Sequence, residues 1–251
     1  VHVVAVLQRP LPERCGVVLR LLRSSRPART AARSSTGSPT ANWRRCSTPT
    51  SPTQAHGWPS SAAEEPTFCA GHDRAELGWV NTLTTPPSGV GGLTARRDLD
   101  KPAIAAVSGA VLVGGLELTL ACHLGVAADD AQFAVTQPSR SLVPEHGGPQ
   151  RLLALVGERL ATAMLLTGRR LDAAQALAAG LVNRVVPAGE HVTAALALAE
   201  EVLASSPTSV RALLRLRFGD VRGLDEVTFS EDLLIGLAAE GDGTAPAWTN
   251  T

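Results

Sequence analysis

Tyrosine is absent from the 251-residue chain, and aromatic residues make up only 3% of it. That scarcity removes the stacking platforms on which single-stranded nucleic acids are held. An excess of charge is also missing: 23 Lys and Arg balance 23 Asp and Glu, so no basic face for a phosphate backbone, and no nucleic-acid partner, is indicated. No uninterrupted apolar run approaches the roughly 20 residues of a membrane-spanning helix. Cys15, Cys46, Cys69 and Cys122 are too few for a disulfide framework and have no metal-ligand spacing. No metal site is expected. Val1 and the residues after it carry no signal-peptide pattern, and a reduced cytoplasm is the expected compartment.

The most localised absence lies near the start. Between Leu22 and Phe68 there is not one Val, Ile, Leu, Met or Phe. The segment is built of Ser, Thr, Pro, Ala and Arg with isolated Trp43 and Trp58. Taken alone, it has too little apolar surface to offset the entropy of ordering it.

What is present centres on Lys101 to Ala128, KPAIAAVSGAVLVGGLELTLACHLGVAA. Ile104–Val107 is a short apolar run that suits a buried strand, and Ser108 and Gly109 break it. Gly114 and Gly115 then open a run to His123 whose Leu116, Leu120 and Ala121 repeat at helical spacing. A second strand-like run follows at Leu124–Ala127. A strand, a turn and a glycine-started helix place unsatisfied N–H groups and the positive end of a helix dipole at one point. Glycine there lets a ligand oxygen come close to the backbone. Glu117 lies in the first turn, where a carboxylate is an acid/base device beside an oxyanion-binding helix start. The plainer interpretation is a helix start with its usual acidic residue.

Six motifs change that balance. They are FCAGHD (Phe68–Asp73), KPAIAAVSG (Lys101–Gly109), GGLELTLACH (Gly114–His123), AQF (Ala131–Phe133), GGPQRL (Gly147–Leu152) and LTGRRLDAAQALAAGLVNRVVP (Leu166–Pro187). In this order and spacing the chain resembles the crotonase superfamily, the enoyl-CoA hydratase/isomerase group, from about Glu64 to Leu216. The resemblance implies an α/β fold with a crotonase-like ββα spiral core over residues 1–190. A C-terminal helical region, 191–251, would pack on the core or a neighbouring subunit, in a homotrimer or hexamer. The substrate would be an acyl-CoA, with no cofactor beyond the coenzyme A it carries.

By the same resemblance, the backbone N–H groups of His72 and Gly114 are the two oxyanion donors, and Ala70, Gly71, Asp73 and Gly115 line the substrate. Asp73 is also a natural cap for a helix starting near Arg74. Glu117 matches the first of the two glutamates that hydratases use. The second should fall at Gln137, and an amide cannot exchange a proton. Gln137 could still hold a water or an acyl group. Glu145 stands where the related 4-chlorobenzoyl-CoA dehalogenases carry an acidic nucleophile, and is a candidate second proton carrier. Arg74 and Lys101 are candidates for the CoA phosphates.

The family places a helix and a buried strand between Arg9-Pro10 and Phe68, at about the spacing found here. Length kept while pattern is lost is what two compensating frame shifts in a GC-rich gene would produce. Residues of about 11–63 are therefore expected not to be a product of selection for this fold, and translation of the other reading frames tests this. Three functions compete: an enoyl-CoA hydratase; a related isomerase or hydrolase using Glu117 and Glu145; and a non-catalytic acyl-CoA-binding relative.

Further expected elements are a strand over Val1–Leu7, a loop over Asn81–Leu93, a strand over Ala131–Val135 and one helix running from Gly147-Gly148 to Leu166. A short helix over Asp172–Ala179 with Gly180 as its stop, a strand over Leu181–Val186, helices over Glu190–Ser205 and Pro207–Leu216, and a last helix after Ser230 complete the pattern.

Overall fold

The computed structural model describes residues 2–6, 16–20, 68–69, 87–217 and 230–248. Its elements alternate between two sheets. One has five strands, in the order β2 (Gly16–Arg20), β1 (His2–Val6), β3 (Ala103–Val107), β5 (Leu124–Ala128) and β8 (Arg184–Val186). The other has three: β4 (Ala110–Leu112), β6 (Gln132–Ala134) and β7 (Leu171–Asp172). β1 pairs antiparallel with β2 and β3, while β3–β5 and β5–β8 are parallel.

The path from β3 to β5 explains the architecture. The chain leaves the large sheet at β3, crosses to the small sheet at β4, and returns through helix α1 (Gly114–Ala121) to β5. It then repeats the circuit through β6 and helices α2 (Gly148–Val156) and α3 (Glu158–Thr167). Ile104 pairs with Leu124 in one sheet and Ala110 with Gln132 in the other, so each circuit stacks on the last. This is the expected ββα spiral. Parallel neighbours require such crossovers, and the helices that make them cover the strands.

That cover accounts for the unbroken apolar run of β3, all five residues of which are buried. Ala103, Ala105 and Val107 face the main core with Phe133, Leu116 and Leu152, while Ile104 and Ala106 face a second cluster with Val126. Helix α5 (His191–Leu203) closes that second cluster with Ala195, Leu198 and Ala199. The first helix beyond residue 190 thus serves the central sheet directly.

Several expectations are met closely: β1, β3, β5, α5 and helix α6 (Pro207–Leu216). Helix α4 (Ala173–Ala178) begins at Asp172, whose side chain accepts from Gln175 N while Gln175 reaches back to the Asp172 N–H, a reciprocal capping box. Helix α7 (Glu231–Asp242) is capped by Ser230. The described part of the expected loop ends in a short 3-10 turn, Val90–Gly92.

Three expectations are corrected. The helix expected to run from Gly147-Gly148 to Leu166 is two helices, because Gly157 adopts φ 78°, ψ 162° and interrupts the hydrogen-bond ladder. A strand, β4, stands where only a turn was expected; three residues suffice because β6 and Cys69 pair with it. β2 falls inside the 11–63 stretch, where no element of the fold was expected: Gly16–Arg20 pairs in full register with β1. The rest of that stretch lies outside the described residues.

Candidate functional site

Helix α1 is unusual in having no polar face. All eight of its residues are buried, which a helix can sustain only when packed on every side. Its start is fixed by two backbone devices. Val113, the residue before it, adopts φ 54°, ψ −120°, a region costly for a β-branched side chain. At Gly115, a Cβ would stand 2.6 Å from the Cys69 carbonyl oxygen, so glycine is what lets the Cys69 main chain lie against the helix. Cys69 is held there by Cys69 N to Ala110 O at 3.0 Å and Leu112 N to Cys69 O at 2.9 Å. The segment continuing from Cys69, with Ala70, Gly71, His72 and Asp73, lies outside the described residues, as does Arg74.

Glu117 is the one charged residue of α1, and it is only 3% exposed. A buried carboxylate must be paired or neutralised. Its Oε1 accepts from the backbone N–H of His146 at 2.8 Å and of Gly148 at 3.2 Å. Gly148 opens α2, so the positive end of a second helix points at Glu117. Glycine is required there too: a Cβ would lie 2.8 Å from Glu117 Cγ. Burial raises the Glu117 pKa above the ordinary carboxylate range, and the two N–H groups, His146 and the nearby Arg151 charge oppose that rise.

Glu117 lines a small cavity with Val113, Leu116, Val135, Gln137 and Pro144 among its walls. Gln137 is 5% exposed, and its Oε1 is buried with no hydrogen-bond partner among the described residues. A buried acceptor without a donor costs about 1–3 kcal/mol unless something supplies one, so this amide is poised to receive an O–H or N–H. Glu117 and Gln137, 20 positions apart, are thus brought together as the sequence suggested. Glu145 is not: its side chain is exposed and does not line the cavity. Lys101 is half-buried two residues before β3 and is not among the residues lining the cavity.

Arg151 is the residue that sequence reasoning missed. Its Nη1 donates to the His146 carbonyl at 2.8 Å and its Nη2 to the Thr94 carbonyl at 2.6 Å. Gly147, at φ 79°, makes room for it, since a Cβ there would meet Nη1 at 2.5 Å. A cation near a helix start opposes the dipole. That oddity within GGPQRL is the signal that could have singled it out.

At the far end of α1, His123 Nδ1 accepts from Ala103 N at 3.0 Å. Burial, aided by Arg217, pushes the imidazole pKa down to about 4. Burial drives the neighbouring Cys122 thiol up to about 12, which excludes it as a nucleophile at neutral pH. Among the described residues no cluster of His, Cys, Asp or Glu could hold a metal ion, and no helix is long and apolar enough to cross a membrane.

A family model described as enoyl-CoA hydratase/isomerase matches residues 62–219. Carnitinyl-CoA dehydratase of Salmonella typhi is 37% identical over 199 residues, covering 72% of this chain and 76% of its own. The Proteus mirabilis protein of that name is 35% identical over 206 residues, covering 75% and 79%. Among solved structures, an enoyl-CoA hydratase from Mycobacterium tuberculosis H37Rv superposes with a TM-score of 0.68 at 36% identity, over 74% of this chain and 77% of its own. One from Bacillus anthracis gives 0.65 at 30% identity, over 75% and 79%.

Proposed function

The chain belongs to the enoyl-CoA hydratase/isomerase family, as a crotonase-type enzyme acting on CoA thioesters, and from that premise we propose that it adds water to an enoyl-CoA or removes it from a hydroxyacyl-CoA. The observation that carries this reading is Glu117, buried in the first turn of a glycine-opened helix and held by two main-chain N–H groups beside a cavity.

The thioester carbonyl oxygen accepts hydrogen bonds from the N–H of Gly114 and from that of His72. Cys69, three residues before His72 in the chain, lies against the start of α1. Ala70, Gly71, Asp73 and Gly115 shape the surrounding wall. In the hydration direction, a water oxygen bonds to the β carbon while one of its protons passes to Glu117. The electron pair of the double bond moves onto the carbonyl oxygen as an enolate. The enolate then collapses, and the α carbon takes a proton from Glu117. Removing one oxyanion donor typically costs about a hundredfold or more.

Gln137 orients the water or hydroxyl but cannot exchange its proton. Glu117 therefore carries both transfers. The same amide favours a second reading, isomerisation or hydrolysis of a CoA thioester with Glu117 as its main acid/base and Glu145 recruited from the rim. Carnitinyl-CoA dehydratase, the name carried by the relatives, marks loss of water as one outcome within reach. Coenzyme A arrives with the substrate and no further cofactor is invoked; a homotrimer or hexamer in the cytoplasm completes the proposal.

Loss of the conjugated-thioester absorbance on incubation with crotonyl-CoA tests hydration. A panel of enoyl-, 3-hydroxyacyl- and β-diketone-CoA compounds separates it from isomerisation and hydrolysis. Saturable binding of every thioester with turnover of none would leave the non-catalytic reading standing.

A further inference from the structure

We propose that Arg151 is a positioning residue for Glu117: it straps the 143–148 loop so that two main-chain N–H groups grip Oε1 and Oε2 is left for substrate. The inference rests on the thioester reading above and deepens it.

The strap is a short chain of contacts. Arg151 holds the carbonyl of His146, and the N–H of that same residue donates to Glu117 Oε1. Fixing one end of a residue's main chain restricts the rotation of the other, so the guanidinium sets the direction of the N–H without touching the carboxylate. Its second arm grips the Thr94 carbonyl. Thr94 is buried, and its hydroxyl accepts from Val90 N at 2.8 Å, so the turn at 89–94 is an anchor rather than a loose loop. A side chain at Gly147 would collide with Arg151, one at Gly148 with Glu117, and one at Gly89 with the Thr94 hydroxyl. Both bonds from the main chain fall on Oε1, and Oε2 has no hydrogen bond among the described residues although Glu117 lines the cavity.

Few other charges bear on Glu117. From α2 it faces Arg151, and from the preceding loop His146, with Glu145 turned to solvent. Arg217, after α6, acts on Arg151 and on Cys122. β3, β4 and the Val90–Gly92 turn bring no titratable side chain. Losing the guanidinium removes a nearby cation and loosens an N–H donor. Both changes move Glu117 upward.

The test is a carbon-13 NMR titration of the Glu117 carboxyl, assigned by its loss in Glu117→Gln, in the full chain and in Arg151→Met and Arg151→Lys. It is paired with kcat and KM for crotonyl-CoA against pH. Arg151→Met should raise the Glu117 pKa by about one unit and shift the acid limb of kcat/KM with it. Arg151→Lys keeps the charge but not the two-armed grip. It should lower kcat about tenfold with KM within about threefold, and move the titration less. Should Arg151→Met fail to fold, the lysine variant decides alone. A Glu117 titration and a kcat both unmoved in Arg151→Lys would overturn the proposal, as would kcat losses in either variant with the Glu117 titration unchanged. A wild-type chain that turns over no thioester would sink the thioester reading instead, and the carboxyl titration would still decide the strap.

Discussion

The starts of α1 and α2 use the same ingredients differently. Each is opened by a glycine pair or its equivalent, Gly114-Gly115 and Gly147-Gly148, and each follows a residue with positive φ, Val113 at 54° and Gly147 at 79°. At α2 the Gly148 N–H is already used, bonded to the Glu117 carboxylate. At α1 the start opens beside the cavity, where the proposed thioester oxygen would meet it. One helix start thus serves as an internal charge clamp, and the other is the start to which the proposed mechanism assigns the thioester oxygen. In that mechanism the clamp holds the acid/base group, which belongs to α1 itself. Two N–H donors, a nearby cation and a helix dipole favour the charged carboxylate in a core where burial raises its pKa.

The largest expected effect comes from removing what both starts share. Glu117→Gln should lower kcat on the best thioester by about 10³-fold. Because burial disfavours the charged carboxylate at pH 7, the same variant should lose no stability to urea, and should gain some. A variant retaining more than a tenth of the activity would show that the clamp serves only the fold.

The next effect concerns the other end of α1. His123 is held neutral, with a folded pKa of about 4 against an ordinary value near 6.5. A depressed folded pKa means that the unfolded chain binds the proton first as pH falls. The stabilisation is therefore complete above about pH 6.5 and is lost progressively between about 6.5 and 4, by up to about 3 kcal/mol. Urea unfolding at pH 7.5, 6, 5 and 4.5 should show this decline, and His123→Gln should flatten it. An equal slope in both proteins would free α1 from any dependence on that imidazole.

How much of this was legible beforehand depended on how local the cause was. The continuous apolar run of β3, the Asp172 start of α4 and the Pro207 start of α6 carry their reasons within a few residues, and they appeared as expected. β4 did not, since three residues have no period to read and their partners lie at Cys69 and Gln132–Ala134. β2 was hidden because its short apolar centre, Val17–Leu19, was judged with the barren stretch after it. In the site, Glu117 and Gln137 were singled out by motif and spacing, and both line one cavity. Glu145 was suggested by its position yet faces solvent, because the loop turns the backbone of His146, not the side chain before it, toward Glu117. Arg151 escaped because its partners are two backbone carbonyls, one of them 57 residues away at Thr94, and its only local sign was a cation near the start of a glycine-opened helix.

A smaller effect separates the clamp from simple packing. Gly148→Ala would drive a methyl to within 2.8 Å of Glu117 Cγ and 2.9 Å of its Oε1. The carboxylate must shift, and kcat should fall roughly tenfold to a hundredfold. Gly157→Ala is the control, since its Cβ would meet nothing within 4 Å. That variant should cost about 1–3 kcal/mol of stability, because φ 78°, ψ 162° is a backbone region open essentially to glycine alone, and leave kcat within about twofold. Equal activity losses in the two variants would mean that the distance between α2 and Glu117 does not matter.

The smallest expected effect tests the contrast between the two residues that precede the helices. Gly147 tolerates positive φ freely, whereas Val113 adopts it against the preference of a β-branched side chain, at a cost of about 1–3 kcal/mol. Val113→Gly relieves that strain but removes partly buried apolar surface and adds chain entropy to the unfolded state. These terms are of similar size and opposite sign, so the variant should fall within about 1 kcal/mol of wild type in urea unfolding. Val111→Gly, two residues earlier in β4 and fully buried, has no strain to relieve and should lose several kcal/mol. If both valines cost the same, Val113 stores no strain. The α1 start would then be held open by packing from Cys69 and Gly115 alone, and the two helix starts would differ only in what their N–H groups face.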